Sequence, residues 1–185
     1  MNKRTVLLTF AASIAAITVA DAGTARSKAV RADKAQATLV GTWRRTTTCA
    51  ELVAALRAAG MQKMTLEFVA GNGFIPGVNS PDQIADPTHP CAGAVPRQHS
   101  HFFTKAGAFG SLDWHGQPVD DGKYRITKPG TVVIFKEFPK VTFHYRISGK
   151  SLALMPVGIG KGCTAFRCAW AISVASPGKT WQRVR

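Results

Sequence analysis

His99 and His101 are the residues in this chain best spaced for chemistry. They stand two apart in His99-Ser100-His101, and residues two apart on a strand share a face. Both imidazoles, with Phe103, are therefore expected on one side of a strand. Two imidazoles so placed suit zinc, copper or a haem iron. His144, on the more polar face of its own segment with Thr142 and Arg146, is the candidate third ligand. The competing reading is that all three are hydrogen-bonded or exposed histidines with no metal, and no cofactor is otherwise specified.

Hydrolytic chemistry has less support. A Gly-x-Ser-x-Gly elbow is absent. Asp113, Asp120, Asp121 and Glu137 offer carboxylates for an acid–base pair, but Asp120-Asp121-Gly122 has the composition that a hairpin turn needs for backbone reasons. Gly71-Asn72-Gly73 lacks the remainder of a phosphate loop and reads as a turn. The four cysteines, Cys49, Cys91, Cys163 and Cys168, are better used in disulfides than as nucleophiles or zinc ligands. Cys163 and Cys168 are close enough to bridge locally, which leaves Cys49 with Cys91. Binding is therefore expected in preference to catalysis.

The compartment follows from the first residues. Met1-Asn2-Lys3-Arg4 is a positive start, Val6 to Ala20 is apolar apart from Thr9, Ser13 and Thr18, and Ala20-Asp21-Ala22 offers small residues for a signal peptidase. The apolar run is about 15 residues, short of the roughly 20 that span a bilayer. Residues 1–22 read as a cleaved signal peptide and 23–37 as a flexible basic lead-in. The expected setting is secreted or extracytoplasmic, with no transmembrane segment after cleavage, where disulfides persist. The remaining chain has the length of one ordinary domain.

The formal net charge is +14, and its distribution is uneven. No Asp or Glu follows Glu137, whereas Lys140, Arg146, Lys150, Lys161, Arg167, Lys179, Arg183 and Arg185 all do. Such a field attracts polyanions, which outside a cell are acidic wall polymers, lipid surfaces and glycans. No nucleic-acid motif accompanies the charge, so nucleic acid is not an expected partner.

The elements that must position these residues are mostly short strands. Leu39 to Arg44 is the first, and a helix follows, marked by the capping box Thr48-Cys49-Ala50-Glu51, by Leu52, Leu56 and Ala59 at helical spacing, and by Gly60 as its stop. Met61 to Val69 suggests a second short helix. Glycines and prolines from Gly71 to Pro96 make a long irregular loop, which Cys91 would staple. Strands are expected over His99–Thr104, Ala108–Trp114, Tyr124–Ile126, Thr131–Phe135, Val141–Ile147 and Leu152–Val157. Turns at Pro129-Gly130 and Ser148-Gly149-Lys150 separate the later ones. Ala169–Ala175 reads equally as strand or buried helix, and Thr180–Arg185 as a last strand. About seven or eight strands at this spacing make a sandwich or an up-and-down barrel.

The two ends favour the barrel. Gly41-Thr42-Trp43 on the first strand resembles the Gly-x-Trp signature of lipocalins, and Trp181-Gln182-Arg183-Val184 lies on the last. Together, Leu39 to Trp43 and Thr180 to Val184 resemble bacterial secreted lipocalin-like, calycin-type domains of unassigned function. The resemblance implies a mainly β, antiparallel up-and-down barrel over 38–185, with Trp43 plugging the closed end and Arg183 packed over it. It covers few residues. The Thr-Asp-Tyr segment of many lipocalins is missing, and the helical and loop insertion, about 46–97, is far larger than the usual first loop. The expected function is non-enzymatic binding of a small apolar molecule, with Phe103, Tyr124, Phe143, Tyr145 and Leu154 as candidate pocket residues. The alternative is a cell-envelope module that holds anionic polymers through the basic C-terminal third.

Overall fold

The computed structural model describes residues 39–112, 115–136, 140–159, 166–175 and 179–184. The expected signal peptide and lead-in, Cys163, Asp113 and Glu137 lie outside the described residues. Eight antiparallel strands make a nearly closed barrel: β1 (Gly41–Thr47), β2 (Arg97–Phe103), β3 (Phe109–Leu112), β4 (Lys123–Lys128), β5 (Thr131–Phe135), β6 (Val141–Ser148), β7 (Ser151–Pro156) and β8 (Trp181–Arg183). Their order around the sheet is β3-β2-β1-β8-β7-β6-β5-β4, so consecutive strands are neighbours except β3 and β4, which stand at its two ends, and β8 returns to β1. This up-and-down arrangement is compatible with a lipocalin-like fold.

Alternation builds the wall. On β6, Val141, Phe143 and Tyr145 are buried while His144 and Arg146 are exposed, the period of a sheet with one wet face. Two-residue turns set the register: Lys128 pairs with Thr131 across Pro129-Gly130, and Ser148 with Ser151 across Gly149-Lys150. Gly130 and Gly149 have φ of 75° and 56°, the left-handed region that favours glycine. The seam between β3 and β4 is the weakest join. It is closed by the bridge of Ala108 to Lys123 and by hydrogen bonds from the Phe109 N–H to the Gly122 carbonyl (3.0 Å) and from the Tyr124 N–H to the Gly107 carbonyl (2.8 Å). Asp120, read in the sequence chiefly as a turn residue, lies along β3, where its carboxylate accepts from the Ser111 N–H.

The insertion between β1 and β2 carries α1 (Cys49–Ala58), a 3₁₀ turn at Gln62–Met64 and α2 (Thr65–Gly71). The Thr48 hydroxyl accepts from the Glu51 N–H (3.3 Å), and the Glu51 carboxylate accepts from the Thr48 N–H (2.8 Å); both bonds satisfy donors that a helix start otherwise leaves bare. At the far end the Gly60 N–H reaches the Arg57 carbonyl (2.9 Å) and the Met61 N–H the Leu56 carbonyl (2.8 Å), a Schellman closure with Gly60 at φ 77°. Cys49 at the head of α1 is bonded to Cys91, 42 residues on, which ties the long loop to the helix. Cys168 is disulfide-bonded as well, and its expected partner Cys163 lies outside the described residues.

The segment that read as strand or helix is α3 (Phe166–Ala175). It joins two cores. Ala171, Val174 and Ala175 pack into the barrel with Trp43, Phe109, Phe143 and Trp181. Cys168, Ala169 and Ile172 pack against Leu52, Leu56, Phe68 and Phe74 of the insertion. A helix buried on two sides has no polar stripe to reveal its period. Among the described residues no helix is long and apolar enough to cross a membrane.

Candidate functional site

One end of the barrel is roofed by the insertion and by α3, and a cavity of about 300 Å³ lies between them. The strands supply Arg45 and Thr47 from β1, His99 and His101 from β2, Ser111 from β3 and Trp181 from β8. The roof supplies Leu52, Glu67, Phe68, Asn72, Phe74, Phe166 and Trp170. Trp170 stands between cavity and barrel core, its ring centroid 6.2 Å from that of Phe109 and 6.1 Å from that of Phe143, both edge-on.

Arg45 is the central polar group. Strand parity turns it inward with Trp43 and Thr47, and it is only 6% exposed. Its Nε–H donates to the Thr47 hydroxyl (3.0 Å), and its Nη1 and Nη2 donate to the Val174 (3.0 Å) and Ser173 (2.7 Å) carbonyls. Those carbonyls end α3, where the helix dipole favours a cation. The guanidinium carbon also sits 4.1 Å from the centroid of the Trp181 ring, a cation–π contact. Burial lowers its pKa to about 10, with Glu51 opposing; at neutral pH it remains charged.

A second guanidinium–indole pair crosses the same two strands. Trp43 and Arg183 are register partners of β1 and β8. The Arg183 guanidinium carbon lies 4.3 Å from the Trp43 ring centroid, and its Nη1 donates to the Val40 carbonyl (2.7 Å). Trp43 is fully buried, and its indole N–H donates to the Leu39 carbonyl (2.9 Å). The first and last strands thus meet through Trp43 with Arg183 and through Trp181 with Arg45.

His99 and His101 do share the inner face of β2, with Phe103. The His101 ring lies 4.6 Å from Trp181 and is stacked 5.2 Å from Phe109, and its Nδ1 is 3.1 Å from the Ser111 hydroxyl. Burial first, then the charges of Arg45 and Arg97, pushes His99 down to about 4. Burial, the neighbouring His99 and Arg45 push His101 down to about 3, against the opposing effect of Asp120 and the Gly110 backbone. Both imidazoles are neutral at pH 7. His144 is elsewhere, exposed on the outer face of β6, with its Nδ1 3.2 Å from the Thr131 hydroxyl. Among the described residues no group of three or more His, Cys, Asp or Glu is placed to hold a metal, so the three histidines are not brought together as a ligand set.

The five candidate pocket residues occupy the barrel core. Phe103, Tyr124, Phe143, Tyr145 and Leu154 are all buried there, and none lines the cavity. Phe103 packs edge-on against Tyr124 with centroids 5.0 Å apart, and the Tyr124 hydroxyl donates to the Thr104 carbonyl (2.7 Å). The cavity walls that sequence reasoning passed over are Arg45, Trp181, Trp170 and the insertion residues Phe68, Asn72 and Phe74. A signal did exist for Arg45, since it stands two residues after Trp43 and must share its inward face.

The basic C-terminal third is divided by the fold. Arg146 and Lys150 are exposed. Lys179 instead forms an ion pair with Glu51 (2.6 Å), and Arg183 covers Trp43. Lys161 and Arg185 lie outside the described residues. Comparisons of the chain with protein-family models, with curated proteins and with solved structures found no match.

Proposed function

We propose that this protein is a non-enzymatic binding module that takes a small, mainly aromatic molecule into the cavity between the barrel end and the helical insertion. The observation that carries this reading is the cavity itself: about 300 Å³ with aromatic walls at Phe68, Phe74, Trp170 and Trp181, onto which the polar side chains of Arg45, His99, His101 and Ser111 converge. Ligand sites are characteristically concave, mostly apolar and of this size or larger. This reading seats the expected apolar ligand at the barrel mouth rather than among Phe103, Tyr124, Phe143, Tyr145 and Leu154, which pack as buried core. The signal-like start of the chain and the Cys49–Cys91 disulfide support an extracytoplasmic setting for this role.

Titration with N-phenyl-1-naphthylamine, a neutral probe that brightens in apolar surroundings, tests the reading. Saturable one-to-one binding is expected, weakened by Ser173→Phe, which places a benzyl group at a lining position. Absence of saturable binding to the folded protein would remove the proposal.

A second reading, adhesion to anionic envelope polymers, draws support from exposed cations on the outer face: Arg125 and Lys128 on β4, Arg146 on β6, and Lys140 and Lys150 beside it. Retention on an immobilised polyanion should then collapse as salt rises and the Debye length falls from about 10 Å at 0.1 M to 3 Å at 1 M. Retention that survives 1 M salt would exclude this electrostatic mode.

A further inference from the structure

We infer that the molecule held in this cavity carries a single planar carboxylate beside its aromatic body, and that Arg45 receives that carboxylate. The inference rests on the cavity reading above and adds the chemical class of the ligand. Its basis is a buried cation without an anion. Among the described residues no carboxylate forms an ion pair with Arg45; the two ion pairs are His89 with Asp86 and Lys179 with Glu51. Glu51, the acid whose field reaches Arg45, is held instead by Lys179 and the Thr48 N–H.

All three oxygens that accept from Arg45 are neutral: the Thr47 hydroxyl and the Ser173 and Val174 carbonyls. A guanidinium has five N–H donors in a planar fork, so among the described residues two remain for a ligand. A desolvated charge left with only neutral partners is costly, and a carboxylate matches the fork in shape and charge.

The rest of the cavity agrees with that assignment. The neutral imidazoles of His99 and His101, the Ser111 hydroxyl and Asn72 supply polar contacts without a competing negative charge. Phe68, Phe74 and Trp170 offer apolar wall surface for an aromatic body. The one carboxylate among the described lining residues, Glu67, is exposed at the α2 side. It sets one negative charge against the anion and so disfavours dianions such as phosphate esters relative to a monocarboxylate. The volume of about 300 Å³ suits a molecule of one to three aromatic rings rather than a long acyl chain.

The test uses the full chain, folded and oxidised in an exporting host, with a matched ligand pair: 1-naphthoate and its neutral isostere 1-naphthamide. Each is measured by displacement of N-phenyl-1-naphthylamine and by calorimetry at pH 7.5, in 0.1 and 0.5 M NaCl. Naphthoate is expected to bind about tenfold or more tightly than naphthamide. That preference should persist in high salt, because a buried contact is poorly screened. Arg45→Met should abolish the preference and Arg45→Lys reduce it. Should either variant fail to fold, the ratio measured on the unaltered protein still decides.

Equal displacement by both compounds would overturn the carboxylate assignment and leave the cavity reading standing. A naphthoate preference that vanishes at 0.5 M NaCl would also overturn it, assigning the effect to the protein's net positive charge. Failure of the neutral probe to bind would remove the cavity reading and this inference with it.

Discussion

Acidification from pH 7 to pH 5 should weaken this fold through His99 and His101. Both are held neutral, with pKa values pushed from 6.5 down to about 4 and about 3. In the unfolded chain each returns to 6.5 and takes up a proton across this interval, so acid favours unfolding. Stability is fully present above pH 6.5 and declines as pH falls from there towards the folded pKa values. Linkage gives a loss of about 2 kcal/mol per histidine between pH 7 and pH 5, or about 4 kcal/mol for the pair. The groups that face the two rings leave this sign intact: Arg45 and Arg97 lower the pKa values and remain cationic, and the opposing effect of Asp120 is already contained in the value of about 3. Glu51, Asp82 and Asp86 also have lowered pKa values, from 4.5 and 3.8. Their losses add below about pH 5, which is why the interval stops there. Urea unfolding followed by tryptophan fluorescence at pH 7, 6 and 5 reads the effect directly, provided the denaturant slope stays constant. A variant with His99→Asn and His101→Asn should lose less than about 1 kcal/mol over the same interval. A flat profile for the unaltered chain, or an unchanged slope in the double variant, would refute the burial of two neutral imidazoles.

Three further outcomes follow from the packing. Trp43→Ala removes a fully buried indole that Arg183 covers, and it should lower unfolding stability by about 3–5 kcal/mol; an unshifted urea midpoint would contradict that placement. Replacing Cys49 and Cys91 together with alanine frees a loop closed over 42 residues and should cost about 4 kcal/mol by chain entropy, measured as the difference in midpoint between the two oxidised proteins. Gly110→Ala would set a Cβ 2.7 Å from both the Asp120 carbonyl oxygen and the Phe102 ring. The seam between β3 and β4 should loosen, with a loss of about 1–3 kcal/mol and faster amide exchange at Phe109 and Tyr124; protection equal to that of the unaltered chain would show that the seam tolerates the methyl.

Sequence reached the barrel because the physics that makes a barrel is local. The alternation from Val141 to Ile147 is a two-residue period written along one strand, and Thr48 with Glu51 is a complete helix start within four residues. The pairing of Trp43 with Arg183 needs only the premise that the first and last strands meet. The cavity was illegible for the opposite reason. Its walls come from β1, β2, β3, β8, three helices and the loop at Asn72 and Phe74, and no spacing rule joins Phe74 to His99 or Arg45 to Ser173. The inner faces of β4, β6 and β7 are apolar whether a barrel is hollow or filled, so Phe143 and Leu154 read alike in either case. Only the fold shows these side chains packed on one another as a buried core, with Trp170 against them. The helix Phe166–Ala175 was ambiguous because two cores bury it and erase the polar stripe that would reveal its period.

The two guanidinium–indole pairs separate closure from binding. Arg183 is half-buried, covers Trp43 and bonds the Val40 carbonyl just before β1; its charge stays near water, where it costs little. Arg45 makes the same contact with Trp181 on the same pair of strands, yet it is buried, bonded to the end of α3 and open to the cavity. If joining the strands were its whole task, a leucine or methionine would pack Trp181 without the desolvation of a charge. The charge therefore needs a reason beyond closure. Its bonds to Ser173 and Val174 supply part of one, since they hold α3 over the barrel mouth and fix the roof of the cavity. An anion seated on the remaining N–H groups would complete it, and would stabilise the barrel, the roof and the insertion together because α3 is shared by both cores.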